Sequence, residues 1–113
     1  MSDCIFCKIA AGEIPSARLW DEGGVYAFRD INPQAPVHFL VIPKEHIGGV
    51  SDINAENSAV VAECFEVIAR LAESEGLEKG YRVISNCGDD AGQTVHHLHF
   101  HVLGGVKMTE KMV

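Results

Sequence analysis

No apolar run in the chain is longer than a few residues, so no segment reaches the roughly 20 residues needed to span a bilayer. Positive charge is scarce: 9 Lys and Arg face 16 Asp and Glu, leaving −7 with neutral histidines. That deficit excludes a general nucleic-acid binder and a protein held on an anionic membrane, because both need a basic face. A small phosphorylated ligand in a locally positive pocket stays open. No secretory leader is read, since Asp3, Lys8 and Glu13 interrupt any apolar stretch before Pro15, and a cytoplasmic location is expected. In that setting the four cysteines read as thiols or metal ligands, not as a disulfide framework. No repeat, low-complexity tract or linker divides the 113 residues, so a single domain, 1–113, is expected. A chain of this size can bury a core without staples.

What is present is patterned. Cys4 to Ala11 reads as a short helix that Ile14-Pro15 ends, because the residue before proline is pushed out of the α region. Arg18–Glu22 and Val25–Asp30 read as strands around a Gly23-Gly24 turn. Asn32-Pro33 and Ala35-Pro36 mark an irregular loop, and Val37–Pro43 is a mostly buried strand. One long helix is predicted between Asn54 and Gly76, with Asn54 or Asp52 as N-cap and Gly76 at C′. Its apolar face is Val61, Cys64, Phe65, Ile68, Leu71 and Ala72. Val60 and Val67 widen that stripe, either as a broad core face or for packing against a second copy of the chain. Tyr81–Cys87 and His97–Leu103 complete five strands, joined by a loop over 88–92. Hairpin-joined strands with helices set apart give an α+β meander, not a doubly wound fold.

His96 to Leu103 is the most informative segment. Alternation on a strand sends His97, His99 and His101 to one face and Leu98, Phe100 and Val102 to the core. His96 falls on the other face as a strand-start residue without a chemical role. Three uses of such a row compete: a polar outer face, a catalytic zinc site, and a catalytic imidazole array. Adjacent imidazoles resist joint protonation, so one keeps a free lone pair near pH 7. A neutral imidazole is a competent nucleophile toward phosphorus, and its neighbour can serve as an acid or donor.

His97-Leu-His99-Phe-His101-Val-Leu103 meets in full the His-φ-His-φ-His-φ-φ signature of the histidine triad (HIT) family, which the chain resembles. Ala27-Phe-Arg-Asp30-Ile-Asn-Pro-Gln-Ala-Pro36, the Val37–Pro43 strand with Lys44-Glu-His46-Ile47, and Asn86 with Gly92-Gln93-Thr94-Val95 are similar to its HINT branch, over about residues 4 to 105. The resemblance implies an α+β fold with a five-stranded antiparallel sheet and two helices. It also implies a homodimer joining two sheets into ten strands, and a purine nucleotide substrate. The implied activity is hydrolysis of nucleoside 5′-phosphoramidates or related nucleoside monophosphate derivatives, with His99 attacking the α-phosphorus to form a nucleotidyl-histidine. His101 and His38 would serve the phosphoryl oxygens and leaving group, with His97 completing the catalytic set. For Nε2 of His99 to attack, its Nδ1–H should go to a backbone carbonyl nearby.

The same resemblance places the phosphate on Asn86, Gly92, Gln93 and Thr94, where glycine lets backbone N–H groups approach an anion. Asp30 becomes the candidate ribose ligand, and Phe6, Ile9, Ile14, Phe28 and Ile31 an apolar slot for the base. Cys4-Ile-Phe-Cys7 is by itself half of a zinc site, and no βαβ pattern surrounds it to suggest redox use. Zinc-binding relatives imply His46 and His97 as the other two ligands of a structural Cys₂His₂ site, which would make any catalytic part of His97 indirect. Cys64 and Cys87 read as buried packing residues. Two features depart from the family pattern: His96 stands where an aromatic is common, and the 106–113 tail lacks a Trp-Pro-Pro-Gly-like ending. The competing functions are a dinucleoside polyphosphate hydrolase and a non-catalytic nucleotide- or zinc-binding adaptor.

Overall fold

Period-two alternation along the central strands sets the architecture. In a computed structural model of the chain, residues 3–113 are described; Met1 and Ser2, the start of the expected 1–113 domain, lie outside the described residues. Five strands, β1 (Arg18–Glu22), β2 (Val25–Arg29), β3 (Val37–Pro43), β4 (Tyr81–Ile84) and β5 (Phe100–Gly104), form one sheet in the order β1-β2-β3-β5-β4. Every neighbouring pair is antiparallel, as an α+β fold of five strands requires. Helices α1 (Ile5–Ala10) and α2 (Ser58–Ser74) complete it, with short 3₁₀ turns at Val50–Asp52 and Asp89–Ala91.

The sheet buries both faces. Val25 and Ala27 of β2, Phe39 and Val41 of β3, and Phe100 and Val102 of β5 pack with Cys64, Val67, Ile68, Leu71 and Ala72 of α2. The intervening residues, Tyr26, Phe28, Leu40 and Ile42, form a second cluster with Phe6 and Ile9 of α1. Successive side chains of a strand point to opposite faces, so the parity that sends Phe39 and Val41 under α2 sends His38 and Leu40 to the other side.

Several boundaries differ from the expected ones. Helix α2 starts at Ser58, not Asn54, because the Asn54 side chain accepts the backbone N–H groups of Glu56 and Asn57 in a turn ahead of the helix. Its end is as read: Gly76 at φ +76° lets Leu77 N–H reach Ala72 O and Gly76 N–H reach Glu73 O, a paired closure that favours glycine at that position. The buried stripe of α2 includes Val67, whereas Phe65 is 47% exposed. Strand β4 stops at Ile84 and β5 starts only at Phe100. His97 to His99 lie before the ladder, where Leu98 N–H donates to Ile47 O instead.

Candidate active site and metal cluster

The face opposite α2 gathers the histidines. On β3 and β5, His38 pairs with Leu103 and Leu40 with His101, so His38 and His101 are diagonal neighbours on one face, within reach of their side chains. His38 Nε2 lies 3.0 Å from His101 Nδ1. The proton positions follow from groups that can act in only one way. The Gln34 backbone N–H donates to His38 Nδ1 at 3.0 Å, so neutral His38 carries its proton on Nε2. That N–H donates to His101 Nδ1, which leaves His101 with its own proton on Nε2. Asp30 Oδ2 sits 3.4 Å from His38 Nε2 and 4.0 Å from His101 Nδ1, and Asp30 Oδ1 accepts the Asn32 N–H. Asp30, His38 and His101 could also gather round a cation. Binding one through His38 Nε2 would displace the proton kept there by the Gln34 N–H donating to Nδ1, so the hydrogen bonding favours a proton over a cation between the two rings.

His99 has the complementary state. Its Nδ1 is 2.7 Å from the carbonyl oxygen of His97, which can only accept, so Nδ1 bears the proton and Nε2 keeps its lone pair. Among the described residues no buried side-chain nitrogen or oxygen lacks a partner; Nε2 of His99 makes no hydrogen bond and is therefore reached by solvent, although the residue is 6% exposed. The rings of His99 and His101 stand edge to face, 5.1 Å apart. Burial above all, then the neighbouring imidazoles of His99 and His38, pushes His101 down to about 4 against the pull of Asp30. Burial likewise lowers His38, opposed by Asp30. Both rings are thus neutral at pH 7 when no anion is bound.

His97 belongs to a different group. Fully buried, it donates Nε2–H to Pro43 O at 2.7 Å, so its Nδ1 lone pair faces Cys4 Sγ and Cys7 Sγ, each 3.4 Å away. Cys7 Sγ is 3.3 Å from His46 Nδ1. The ligand atoms of Cys4, Cys7, His46 and His97 all lie within 4.8 Å of one another and could hold one metal ion. With both ring nitrogens committed, His97 has no donor left for a substrate, and its place in the expected catalytic set passes to its carbonyl oxygen.

The loop expected to hold a phosphate is more mixed than its sequence suggests. Gln93 is buried and tied down: its Nε2 donates to Gly48 O and Val95 O, and its Oε1 accepts Gly88 N–H. Its backbone N–H goes to Gly88 O. No donor of Gln93 remains for an anion, so the residue braces the loop and does not line it. Gly92 adopts φ +80°, a left-handed turn that favours glycine. Asn86 is half-buried, while Thr94 is exposed and lines a surface depression with Cys4, His46 and His96.

Phe6, Ile9, Phe28 and Ile14 come together in the second cluster, whereas Ile31 stands 91% exposed on the loop beyond Asp30. Tyr26, Leu40 and Ile42 join that cluster unforeseen, though their parity with Phe28 and His38 was readable. Ser85, whose Oγ donates to His99 O, and the Gln34 amide carried no sequence signal. Cys64 is buried as expected, but Cys87 is only half-buried, with Sγ 3.4 Å from Ser51 Oγ.

Three histidines at alternate positions, running into the β5 strand of a five-stranded antiparallel sheet, define a histidine-triad domain. The HIT domain family matches residues 11–108, and the chain belongs to that family. It is 46% identical over 104 residues to the purine nucleoside phosphoramidase of Escherichia coli K12, covering 91% of this chain and 87% of that one. Among solved structures, a HIT family hydrolase from Clostridium thermocellum superposes with a TM-score of 0.96 at 49% identity, covering 100% of this chain and 99% of the other. One from Legionella pneumophila gives 0.92 at 47% identity, over 96% and 97%.

Proposed function

We propose that the protein hydrolyses purine nucleoside 5′-phosphoramidates or related nucleoside monophosphate derivatives through a nucleotidyl-His99 intermediate. One observation carries this reading: His99 keeps its Nε2 lone pair because Nδ1–H is spent on His97 O, while His101 beside it presents Nε2–H. A nucleophile needs the first state and a donor to a phosphoryl oxygen the second.

The steps close. The anionic phosphoryl group and Asp30 together favour a proton on His101, offsetting its burial, and His38 Nε2–H turns to Asp30. Nε2 of His99 forms the bond to phosphorus as the phosphorus–amine bond breaks, and His101 Nε2–H passes to the departing nitrogen. The positive charge on the substituted His99 ring is borne by Nδ1–H against the His97 carbonyl. Water then attacks phosphorus, giving its proton to His101 Nε2, and the bond to His99 breaks to release the nucleoside monophosphate. Asp30 also takes the ribose hydroxyls, with Phe6, Ile9, Ile14, Phe28 and exposed Ile31 bordering the base and Asn86, Gly92 and Thr94 near the phosphate.

Zinc suits the four-residue cluster. Bond lengths of about 2.3 Å to sulfur and 2.0–2.1 Å to nitrogen put tetrahedral N and S ligands about 3.5 Å apart, close to the 3.3–3.4 Å seen. Bound there, zinc supplies a structural crosslink. Two copies pair through β4 into a ten-stranded sheet: β4 is an edge strand carrying exposed Tyr81 and Ile84, and unpaired apolar edges favour strand addition. The opposite edge, β1, carries Arg18, Asp21 and Glu22 instead. The chain acts as one domain in the cytoplasm, where thiol ligands stay reduced.

Adenosine 5′-phosphoramidate tests the reading. Wild type releases AMP and, on rapid quench with labelled substrate, carries label on residue 99; His99→Ala does neither while keeping its fold. AMP binding without any labelled intermediate or turnover would instead identify a nucleotide-binding adaptor.

A further inference from the structure

The metal cluster and His99 are joined twice. The first link is His97, whose ring faces Cys4 and Cys7 at 3.4 Å while its carbonyl oxygen takes the His99 Nδ1–H at 2.7 Å. The second is Phe6, which sits between the two cysteines in sequence and presses edge-on against the His99 ring, 5.1 Å away at 89°. Phe6 also packs at 6.0 Å on His97 and 5.5 Å on Phe28. The six-residue α1 that carries Phe6 is too short to hold itself in place by backbone hydrogen bonds. His99 lies ahead of the β5 ladder, so strand pairing does not fix its ring either. The His101 ring borders His99 at 5.1 Å and Ser85 holds its carbonyl, but the acceptor for its Nδ1–H and the ring pressed on it from the other segment, His97 O and Phe6, both come from residues that meet at the cluster.

We infer that the Cys4–Cys7–His46–His97 cluster, when it holds its ion, aims the nucleophile: Phe6 and His97 are positioning residues through which a zinc-type ion holds His99 in one tautomer with Nε2 toward the substrate. The inference rests on His99 being the nucleophile. Partners behind a functional ligand commonly change activity about 10–100-fold when lost, and here the loss falls mainly on kcat, because Nε2 of His99 acts in the chemical step; Phe6 also borders the base, so a smaller change in KM accompanies it.

The test pairs two variants with a readout independent of turnover. Cys7→Ser/His46→Ala removes half the ligand set; Phe6→Leu keeps all four ligands and removes the ring against His99. Zinc per chain is measured by mass spectrometry, the His99 tautomer by ¹⁵N-detected NMR of the ring, and kcat and KM on adenosine 5′-phosphoramidate. Wild type is expected to carry zinc and show one Nδ1–H tautomer. The double variant loses zinc, shows mixed tautomers and drops in kcat by about 10–100-fold, with any rise in KM smaller than that. Phe6→Leu keeps zinc yet shows mixed His99 tautomers and a kcat loss larger than any change in KM. A zinc-free double variant with the single tautomer and full kcat overturns the inference. So does a wild type that binds no zinc on titration, or, if the double variant does not fold, a Phe6→Leu protein with unchanged kcat. Failure of the nucleophile itself looks different: no label on residue 99 in wild type, whatever the tautomer does on zinc loss.

Discussion

Gln34 and His38 set the direction of the hydrogen-bond chain in this site: the Gln34 backbone N–H, 3.0 Å from His38 Nδ1, obliges His38 to donate from Nε2 and His101 to accept. An amide cannot reverse its role, so the orientation survives as long as the 32–36 loop keeps its turn. His38→Leu, near in volume at a buried position, should lower kcat by about 10²-fold, the usual scale for proton-transfer partners. KM should move much less. Steady-state kinetics on adenosine 5′-phosphoramidate check this; equal kcat in the variant would remove His38 from the relay.

Acid should destabilise the fold from a defined window. His101 sits at about 4, below its ordinary 6.5, first because of burial, and His38 is shifted in the same direction. Between those values the unfolded chain binds more protons than the folded one, so stability rises with pH. The contribution is complete above 6.5 and gone once the pH falls through about 4. Urea unfolding midpoints from pH 7 to 4.5 should fall, and His101→Gln should flatten the slope.

The two cysteines outside the cluster should react in opposite ways. Burial, helped by the charge of Glu63, pushes the Cys64 thiol up to about 12. Cys87 is lowered, chiefly by its hydrogen bond with the Ser51 side chain. Thiolate is the reactive form. Iodoacetamide on the native protein should therefore label Cys87 and leave Cys64 untouched until unfolding, as read by peptide mass mapping.

Gln93→Ala should act on stability first. It removes three side-chain hydrogen bonds and leaves Gly48 O and Gly88 N–H without their partner, a loss of about 1–3 kcal/mol. Thermal unfolding measures it. A direct phosphate ligand would instead raise KM with an unchanged melting temperature.

The legible part of the molecule is the part governed by period. Strands β1 and β3 run over the residues expected of them, and the glycine at 76 ends α2 as its φ requires. The histidine row was readable as a chemical face because Leu98, Phe100 and Val102 alternate with it. Parity on β2 and β3 also held the missed members of the apolar cluster, Tyr26, Leu40 and Ile42. Less legible were the positions where a side chain competes with a helix or a ladder for backbone groups. Asn54 delays α2 by taking two amides for itself. Gln93 resembled a phosphate contact but is consumed by Gly48, Gly88 and Val95, partners distant in sequence or placed by the turn of the loop.

Residue order alone determined which side chains share a face of the sheet, since alternation is a property of an extended backbone whatever surrounds it, and it also supplied the two-cysteine half-site on the first helix. Only the tertiary structure decided what each imidazole does. A ring nitrogen becomes donor or acceptor according to the one-way group it meets, and those groups (the Gln34 amide, the carbonyls of Pro43 and His97) are delivered by loops and chain segments whose positions no local pattern specifies.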